Sequence, residues 1–265
     1  MRRPLMARWA QQRDGSSSSG SKKKKGAWLR GVFADTYGNQ AKRAGLRSRA
    51  AAKLQQLDDK FRLLRPGMVV LDLGAAPGGW TQVAAARVAT MGGGQVIAVD
   101  LTKMDPIPGA TTIQADASSV AGMAQIRALL PRRGDGASGR CDILLSDMAP
   151  RTSGNRAKDH ERSLELCSLA LRGAREFLAE GGTVVAKVFQ GGTENELLRW
   201  SKLHFATAKF AKPPASKAVS REIFLVATGH KGGRTGKTDA GEPPPPTEKR
   251  QRVRRKSKKF DDEDE

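Results

Sequence analysis

A strand-like run that ends in a glycine-rich turn, LDLGAAPGGW at Leu71–Trp80, heads a regular alternation along this chain. Apolar, β-branched runs recur at Val69–Leu73, Gln95–Val99, Thr111–Ala115, Cys141–Ser146 and Thr183–Val188. Segments of helical length fall between most of them, at Trp80–Thr90, Ser118–Leu130 and Arg162–Ala179. Strands joined by helical crossovers pair in parallel, and the crossovers then cover both faces of the sheet. The pattern therefore predicts an α/β fold with a largely parallel sheet. After a helical segment at Glu194–Leu203, two more strand-like stretches follow, Phe205–Phe210 and Ile223–Thr228. The link between them, Lys-Pro-Pro-Ala-Ser, is too short for a helical crossover, so this pair is predicted antiparallel. Ahead of the first strand, residues 27–64 read as helices, with Trp28, Leu29, Val32 and Phe33 on one apolar face.

The 265 residues are 38% hydrophobic, which suffices for one sizeable core. No apolar run of about 18 residues is present, which argues against a transmembrane helix. The N-terminus lacks the apolar stretch of a secretory signal. Residues 1–26 read as a disordered basic arm, residues 27–230 as the folded domain (leading helices 27–64, α/β core 65–230), and residues 231–265 as a disordered charged tail. A cytoplasmic location follows, with a mitochondrial transit peptide in the Arg- and Ser-rich residues 1–30 as the alternative. Cys141 and Cys167 are the only cysteines and lack CxxC spacing, so no metal site is expected and two buried thiols are.

The net charge of +20 is unevenly spread: +11 over residues 1–50, +6 over 51–230 and +3 over 231–265. Basic segments outside a core attract polyanions by releasing counterions, without reading sequence. A membrane surface is disfavoured, because the basic stretches lack apolar residues at helical spacing. Lys42, Arg43, Arg47 and Arg49 form a basic strip suited to phosphates. Trp28, Phe33 and Tyr37 are stacking candidates, with core packing as the plainer role for the first two.

The turn LDLGAAPGGW differs from the GxGxxG fingerprint but uses the same physics. Its glycines let backbone approach a ligand at the C-terminal end of a strand. Asp72 and Gly74 end the first strand. Asp100 ends the second, where a carboxylate suits ribose hydroxyls, and Asp116 ends the third, where it suits an adenine amino group. Such strand-end acids also serve as helix caps, but three in register favour an adenosine moiety. No GxxxxGK[ST] is present, which disfavours a nucleotide triphosphatase. A nicotinamide oxidoreductase is disfavoured as well: there is no GxGxxG, and the single Tyr37 is not followed by a Tyr-x-x-x-Lys lysine.

GLRSRAAAKL, PGMVVLDLGAAPGGWTQ, DLTKMDPI, SDMAP, GGTVVAKVFQG and KPPASKAVSREIFLVATG occur in that order over roughly residues 27–230. In them the chain resembles the RrmJ/FtsJ family of 2′-O-ribose RNA methyltransferases, and within it the bacterial branch acting on large-subunit rRNA. The resemblance implies a Rossmann-like fold with a mostly parallel seven-stranded sheet whose last strand is antiparallel, and S-adenosylmethionine as cofactor. It also implies a Lys-Asp-Lys-Glu tetrad at Lys53, Asp147, Lys187 and Glu222, and cofactor contacts at Gly78, Trp80, Asp100, Asp116 and Asp147. The implied reaction is methylation of a uridine ribose in 23S rRNA, in an assembled or assembling large ribosomal subunit, by a monomer. Within this reading, Lys187 is expected to act as base or to steer the hydroxyl. Asp147 would orient Lys187, and Glu222 would orient Lys53 or the ribose. A tRNA anticodon-loop methyltransferase and a non-catalytic ribosome-assembly factor on the same fold are the alternatives. The sequence departs from the family at Ala51 and Ala52, where bulky residues are common, and at Arg151, where Asn is common.

Overall fold

The computed structural model describes residues 37–39, 41–89, 93–131, 139–217, 219–232, 241 and 243–244. The readings for the basic arm, for Trp28 and Phe33, for most of the 131–140 insertion and for the basic block of the tail lie outside these residues.

In chain order the elements are α1 (Ala50–Phe61), β1 (Val69–Leu73), α2 (Gly79–Val88), β2 (Gln95–Asp100), β3 (Ala110–Gln114), α3 (Val120–Leu129) and β4 (Cys141–Ser146), then α4 (Arg156–Phe177), β5 (Leu178–Phe189), α5 (Asn195–His204), β6 (Phe205–Ala211) and β7 (Glu222–His230). They build one seven-stranded sheet of order β3-β2-β1-β4-β5-β7-β6. β1, β2, β3, β4 and β5 pair in parallel, whereas β7 runs antiparallel to both of its neighbours, β5 and β6. The chain moves outward from β1 through β2 to β3, then returns to place β4 on the other side of β1. Helical connections therefore diverge between β1 and β4, and the crevice beyond their C-terminal ends is where open α/β sheets bind ligands.

Side-chain alternation splits the interior in two. Val70, Val96, Ile143, Leu145 and Val185 face one way and pack under Leu54 and Leu57 of α1 and Trp80 and Val83 of α2. Leu71, Leu73, Ile97, Leu144 and Val184 face the other way, against Ile126 of α3, Leu171 and Ala174 of α4, and Leu197 and Trp200 of α5. Both central strands are covered on both sides, which is why they read as continuous apolar runs instead of alternating ones. Cys141 and Cys167 are buried thiols, the first donating to the Phe177 carbonyl at 3.3 Å, and burial pushes the Cys167 thiol up to about 12.

Two boundaries differ from the sequence reading for local reasons. Helix α4 begins at Arg156, six residues before the expected Arg162. Asn155 caps it, its side chain accepting the amides of Ala157 and Lys158, and the buried Asp159 carboxylate accepts the Ser153 amide and hydroxyl. That first turn carries no apolar stripe, so periodicity alone starts the helix late. Strand β5 begins at Leu178, five residues before the expected Thr183. Leu178 pairs with Cys141, and a register irregularity before Ile143 absorbs the Gly181–Gly182 pair that reads as a turn.

The tail also departs from expectation. Around Gly241–Pro244 it packs against the domain: the Trp200 indole donates to the Gly241 carbonyl at 2.9 Å, the Ser168 hydroxyl donates to the Pro244 carbonyl at 2.9 Å, and Pro243 is buried. Ser168 is itself fully buried on α4, so without this strand of chain its hydroxyl would lose its acceptor. Among the described residues, no helix is long and apolar enough to cross a membrane. Truncation after Gly232 should lower stability by about 2 kcal/mol, the worth of two hydrogen bonds left unmade near a buried hydroxyl and an indole. A chain ending after Thr247 should melt like the full-length protein; comparing the two melting curves by calorimetry checks this.

Candidate active site

The ligand crevice is floored by the turn between β1 and α2. Gly74 and Gly78 both have positive φ, at 72° and 106°. A Cβ at Gly74 would collide with the Met148 side chain, and one at Gly78 would come within 2.5 Å of Ile107 Cδ1. Gly78 precedes α2, whose first amides have no acceptor within the helix. Trp80 does not face the crevice. Its ring is buried against Phe224, with ring centroids 5.5 Å apart, and its indole donates to the Ala50 carbonyl at 2.8 Å. The side chain of this expected contact therefore belongs to the core, and only its backbone amide, at the start of α2, is left for a ligand.

Four carboxylates converge at this end of the sheet. Asp100 accepts the Ala76 amide (2.9 Å) and the Thr102 amide (2.7 Å), tying the glycine turn to the loop after β2. Asp116 accepts the amide and hydroxyl of Ser118, and these bonds hold its pKa below the ordinary value. Asp147 follows β4. The fourth, Asp72, is essentially inaccessible. One of its oxygens accepts the Thr81 hydroxyl at 2.7 Å, and the other has no hydrogen-bond partner among the described residues. Burial raises its carboxyl to about 7 in spite of the Thr81 bond, and the charges of Asp147 and Asp100 add to the rise. A buried, half-satisfied carboxylate beside two more acids fits a positively charged ligand. The sequence signal for Asp72 is a carboxylate set inside an otherwise apolar strand, VVLDL.

The four residues of the expected tetrad form two ion pairs. Lys53, on α1, donates to Glu222 Oε2 at the start of β7 at 2.7 Å, with side-chain exposures of 7% and 11%. Burial works against the Glu222 carboxylate, but the Lys53 hydrogen bond and charge outweigh it, assisted by Lys187, and its pKa lies below the usual carboxylate range. Lys187, near the end of β5, lies 2.9 Å from Asp147 Oδ1 and donates to the Asp147 backbone carbonyl at 2.5 Å. The register explains the meeting: Ser146 sits beside Ala186, so the next residues along the two parallel strands, Asp147 and Lys187, emerge together. Lys187 faces Phe224 across the antiparallel pair, two residues into β7 from Glu222. Asp147 thus stands where the acidic, glycine-floored crevice and the lysine pairs meet.

The sequence reading missed a brace behind Lys187. The turn after β5 is held by Glu194, whose carboxylate accepts the Gly191 and Gly192 amides at 3.1 and 2.6 Å. His160 of α4 donates from Nδ1 to the Phe189 carbonyl (2.7 Å) and places Nε2 2.9 Å from the Thr193 hydroxyl. A Cβ at Gly191 would overlap the His160 ring. No short motif announces this arrangement, because its members are joined only by the α4–β5 packing. The basic strip is corrected at one position: Arg47 is committed to backbone carbonyls, whereas Lys42, Arg43 and Arg49 are exposed.

An open α/β sheet with a glycine turn, strand-end acids and lysine–carboxylate pairs at its crevice has the form of a nucleoside-cofactor transferase. The chain belongs to the FtsJ-like methyltransferase family, which its residues 46–230 match. It is 49% identical over 213 residues to the ribosomal RNA large subunit methyltransferase E of Parvibaculum lavamentivorans, covering 77% of this chain and 81% of that one. It is 48% identical over 208 residues to the protein of the same description in Paramagnetospirillum magneticum, covering 77% and 82%. Among solved structures, a Plasmodium falciparum protein provisionally described as a ribosomal RNA methyltransferase superposes with a TM-score of 0.59 at 32% identity, over 70% of this chain and 99% of that one.

The raised Asp72 carboxyl gives a pH prediction. Between about pH 4 and 7 the folded protein holds a proton there that the unfolded chain releases, so stability contributed at low pH is lost as pH rises toward 7. A shift of about three units corresponds to about 4 kcal/mol. Urea unfolding of the ligand-free protein from pH 4.5 to 8 should show this decline, and Asp72→Asn should flatten it.

Proposed function

We propose that this protein transfers a methyl group from S-adenosylmethionine to the 2′-hydroxyl of a uridine in large-subunit rRNA, in an assembled or assembling subunit. The observation that carries the reading is the placement of the Lys187–Asp147 pair where the acidic, glycine-floored crevice opens, with Lys53–Glu222 beside it. The names of the relatives, which are nearly half identical over most of both chains, support the rRNA substrate.

The residues at the crevice fit the cofactor. The Gly74–Gly78 turn admits its backbone-close parts, Asp100 and Asp116 suit ribose and adenine, and the unpartnered oxygen of Asp72 together with Asp147 suits its positive charge. S-adenosylmethionine supplies a methyl group activated by a sulfonium. The protein must bring the ribose oxygen to that methyl group and manage the hydroxyl proton. Lys187 would steer the hydroxyl, and after releasing its own ammonium proton to solvent it would, as the neutral amine, take up the hydroxyl's proton; its distance to the Asp147 carboxylate and its bond to the Asp147 carbonyl support this role. Glu222 fixes Lys53, whose ammonium then presents positive charge to the ribose-phosphate of the target nucleotide. Lys42, Arg43, Arg49 and Arg151, all exposed, supply phosphate contacts around the site.

The test is methyl transfer from labelled S-adenosylmethionine to intact large subunits, free rRNA and tRNA lacking the modification. We expect label in subunit RNA. Lys187→Ala should reduce the rate at least about 100-fold, the scale of a lost proton-transfer group, while cofactor affinity stays within about twofold of wild type. Label in tRNA alone would move the activity to anticodon loops. Cofactor binding without label in any RNA would favour an assembly factor.

A further inference from the structure

The segment Gly45–Ser48 lies outside the crevice chemistry described above, yet it is fastened to it more tightly than a phosphate-binding strip requires. The Arg47 guanidinium donates from Nη1 to the Asp105 carbonyl (2.8 Å), from Nη2 to the Pro106 carbonyl (2.7 Å) and, at a longer 3.4 Å, from Nη1 to the Pro77 carbonyl. Pro77 belongs to the glycine turn, and Asp105 and Pro106 belong to the loop that leaves Asp100. One planar cation thus bridges both loops that border the crevice. Its backbone is fixed in turn: the Arg47 amide donates to Gln82 Oε1 of α2 at 2.8 Å, and Gln82 Nε2 donates to the Gly45 carbonyl at 3.2 Å. The fit is close, since a Cβ on Gly78 would approach Arg47 Nη1 to 3.2 Å and one on Gly79 would overlap the Ser48 hydroxyl.

We propose that Arg47 is a positioning residue for the cofactor: it clamps the Gly74–Gly78 turn to the 101–107 loop and so holds the crevice in its binding shape. The inference rests on the reading of that crevice as the S-adenosylmethionine site. Three backbone carbonyls with one guanidinium make a charge-assisted arrangement whose geometry depends on the planar fork, which a lysine ammonium does not reproduce. A phosphate contact would instead leave the guanidinium turned to solvent. Helix α1 starts two residues beyond Ser48 and carries Lys53, and its first carbonyl, that of Ala50, accepts the Trp80 indole. The clamp therefore links the cofactor turn to the lysine-bearing helix in one rigid unit.

The test compares full-length wild type, Arg47→Ala, Arg47→Lys and Gln82→Ala. Affinity for S-adenosylhomocysteine is measured by calorimetry, steady-state methyl transfer on unmodified large subunits gives KM and kcat, and rRNA affinity is followed as a function of salt. In Arg47→Ala we expect cofactor affinity to fall at least about tenfold and KM for S-adenosylmethionine to rise with it, with kcat at saturating cofactor within about threefold of wild type. Arg47→Lys should recover little. Gln82→Ala, which frees the backbone anchor but spares the guanidinium, should weaken cofactor binding in the same direction by less. The slope of log rRNA affinity against log salt should be unchanged. Wild-type cofactor affinity in Arg47→Ala, with a salt slope reduced by about one ion, would overturn the proposal in favour of a phosphate contact. A fall in kcat at unchanged KM would overturn it in favour of a general folding defect. Absence of cofactor binding by the wild type would overturn the cofactor reading itself before any variant is compared.

Discussion

The buried hydrogen bond from Lys53 to Glu222 is the contact on which the site's geometry depends. It joins α1, ahead of the first strand, to β7, the last, and so closes the two ends of the domain over the crevice. Taking an ammonium and a carboxylate out of water costs several kcal/mol each, and only a close partner offsets that. Buried charge pairs are weak contributors to stability when compared with apolar residues of the same size. Their retention at the edge of an otherwise aliphatic core, beneath Trp80 and Phe224, is therefore better explained by what the charges do than by what they hold together. The second pair, Lys187–Asp147, obeys the same logic one strand away.

The acidic end of the sheet is the electrostatic complement of those lysines. Asp72, Asp100 and Asp147 share a small volume, and their mutual repulsion adds to the desolvation that holds the Asp72 carboxyl near 7. Among the described residues, Asp72 Oδ1 and Asp147 Oδ1 are buried without a hydrogen-bond partner, although the latter lies 2.9 Å from the Lys187 ammonium. The neighbouring carboxylates and the unpartnered Asp72 oxygen make this end of the sheet electrostatically suited to positive charge.

Most of the architecture was legible in the sequence, because the signals were long and periodic. β1 and β4 fall on their expected residues, and the proline link between β6 and β7 forced the antiparallel ending. The glycine turn and the placement of Asp100, Asp116, Asp147, Lys187 and Glu222 at strand ends, and of Lys53 on the leading helix, were legible because each sits in a short motif beside a regular element. What was not legible depends on packing between distant segments. The Trp80 side chain packs in the core, and nothing local reveals that α1 lies over it. Arg47 looked like one of four equivalent basic residues, and only the fold brings Pro77, Asp105 and Pro106 to its guanidinium. The His160–Glu194 brace and the docking of Gly241 and Pro244 on α5 and α4 are likewise products of tertiary contact, invisible to composition or periodicity.

Side-chain parity explains why such a site tolerates little change in spacing. Lys187 shares a sheet face with Val185, which packs under α1 and α2, while its neighbours Ala186 and Val188 belong to the core beneath α4 and α5. A one-residue slip of β5 would carry Lys187 to the opposite face, away from Asp147, and would bring an alanine or a valine to the crevice in its place. The same slip in β7 would turn Glu222 away from Lys53. The register is secured by the apolar residues on both faces of β5 and by the Glu194 and His160 bonds that stop the strand at Phe189. The geometry of the two ion pairs is therefore specified less by the four polar residues than by the valines, alanines and glycines around them, which decide which way each polar residue points.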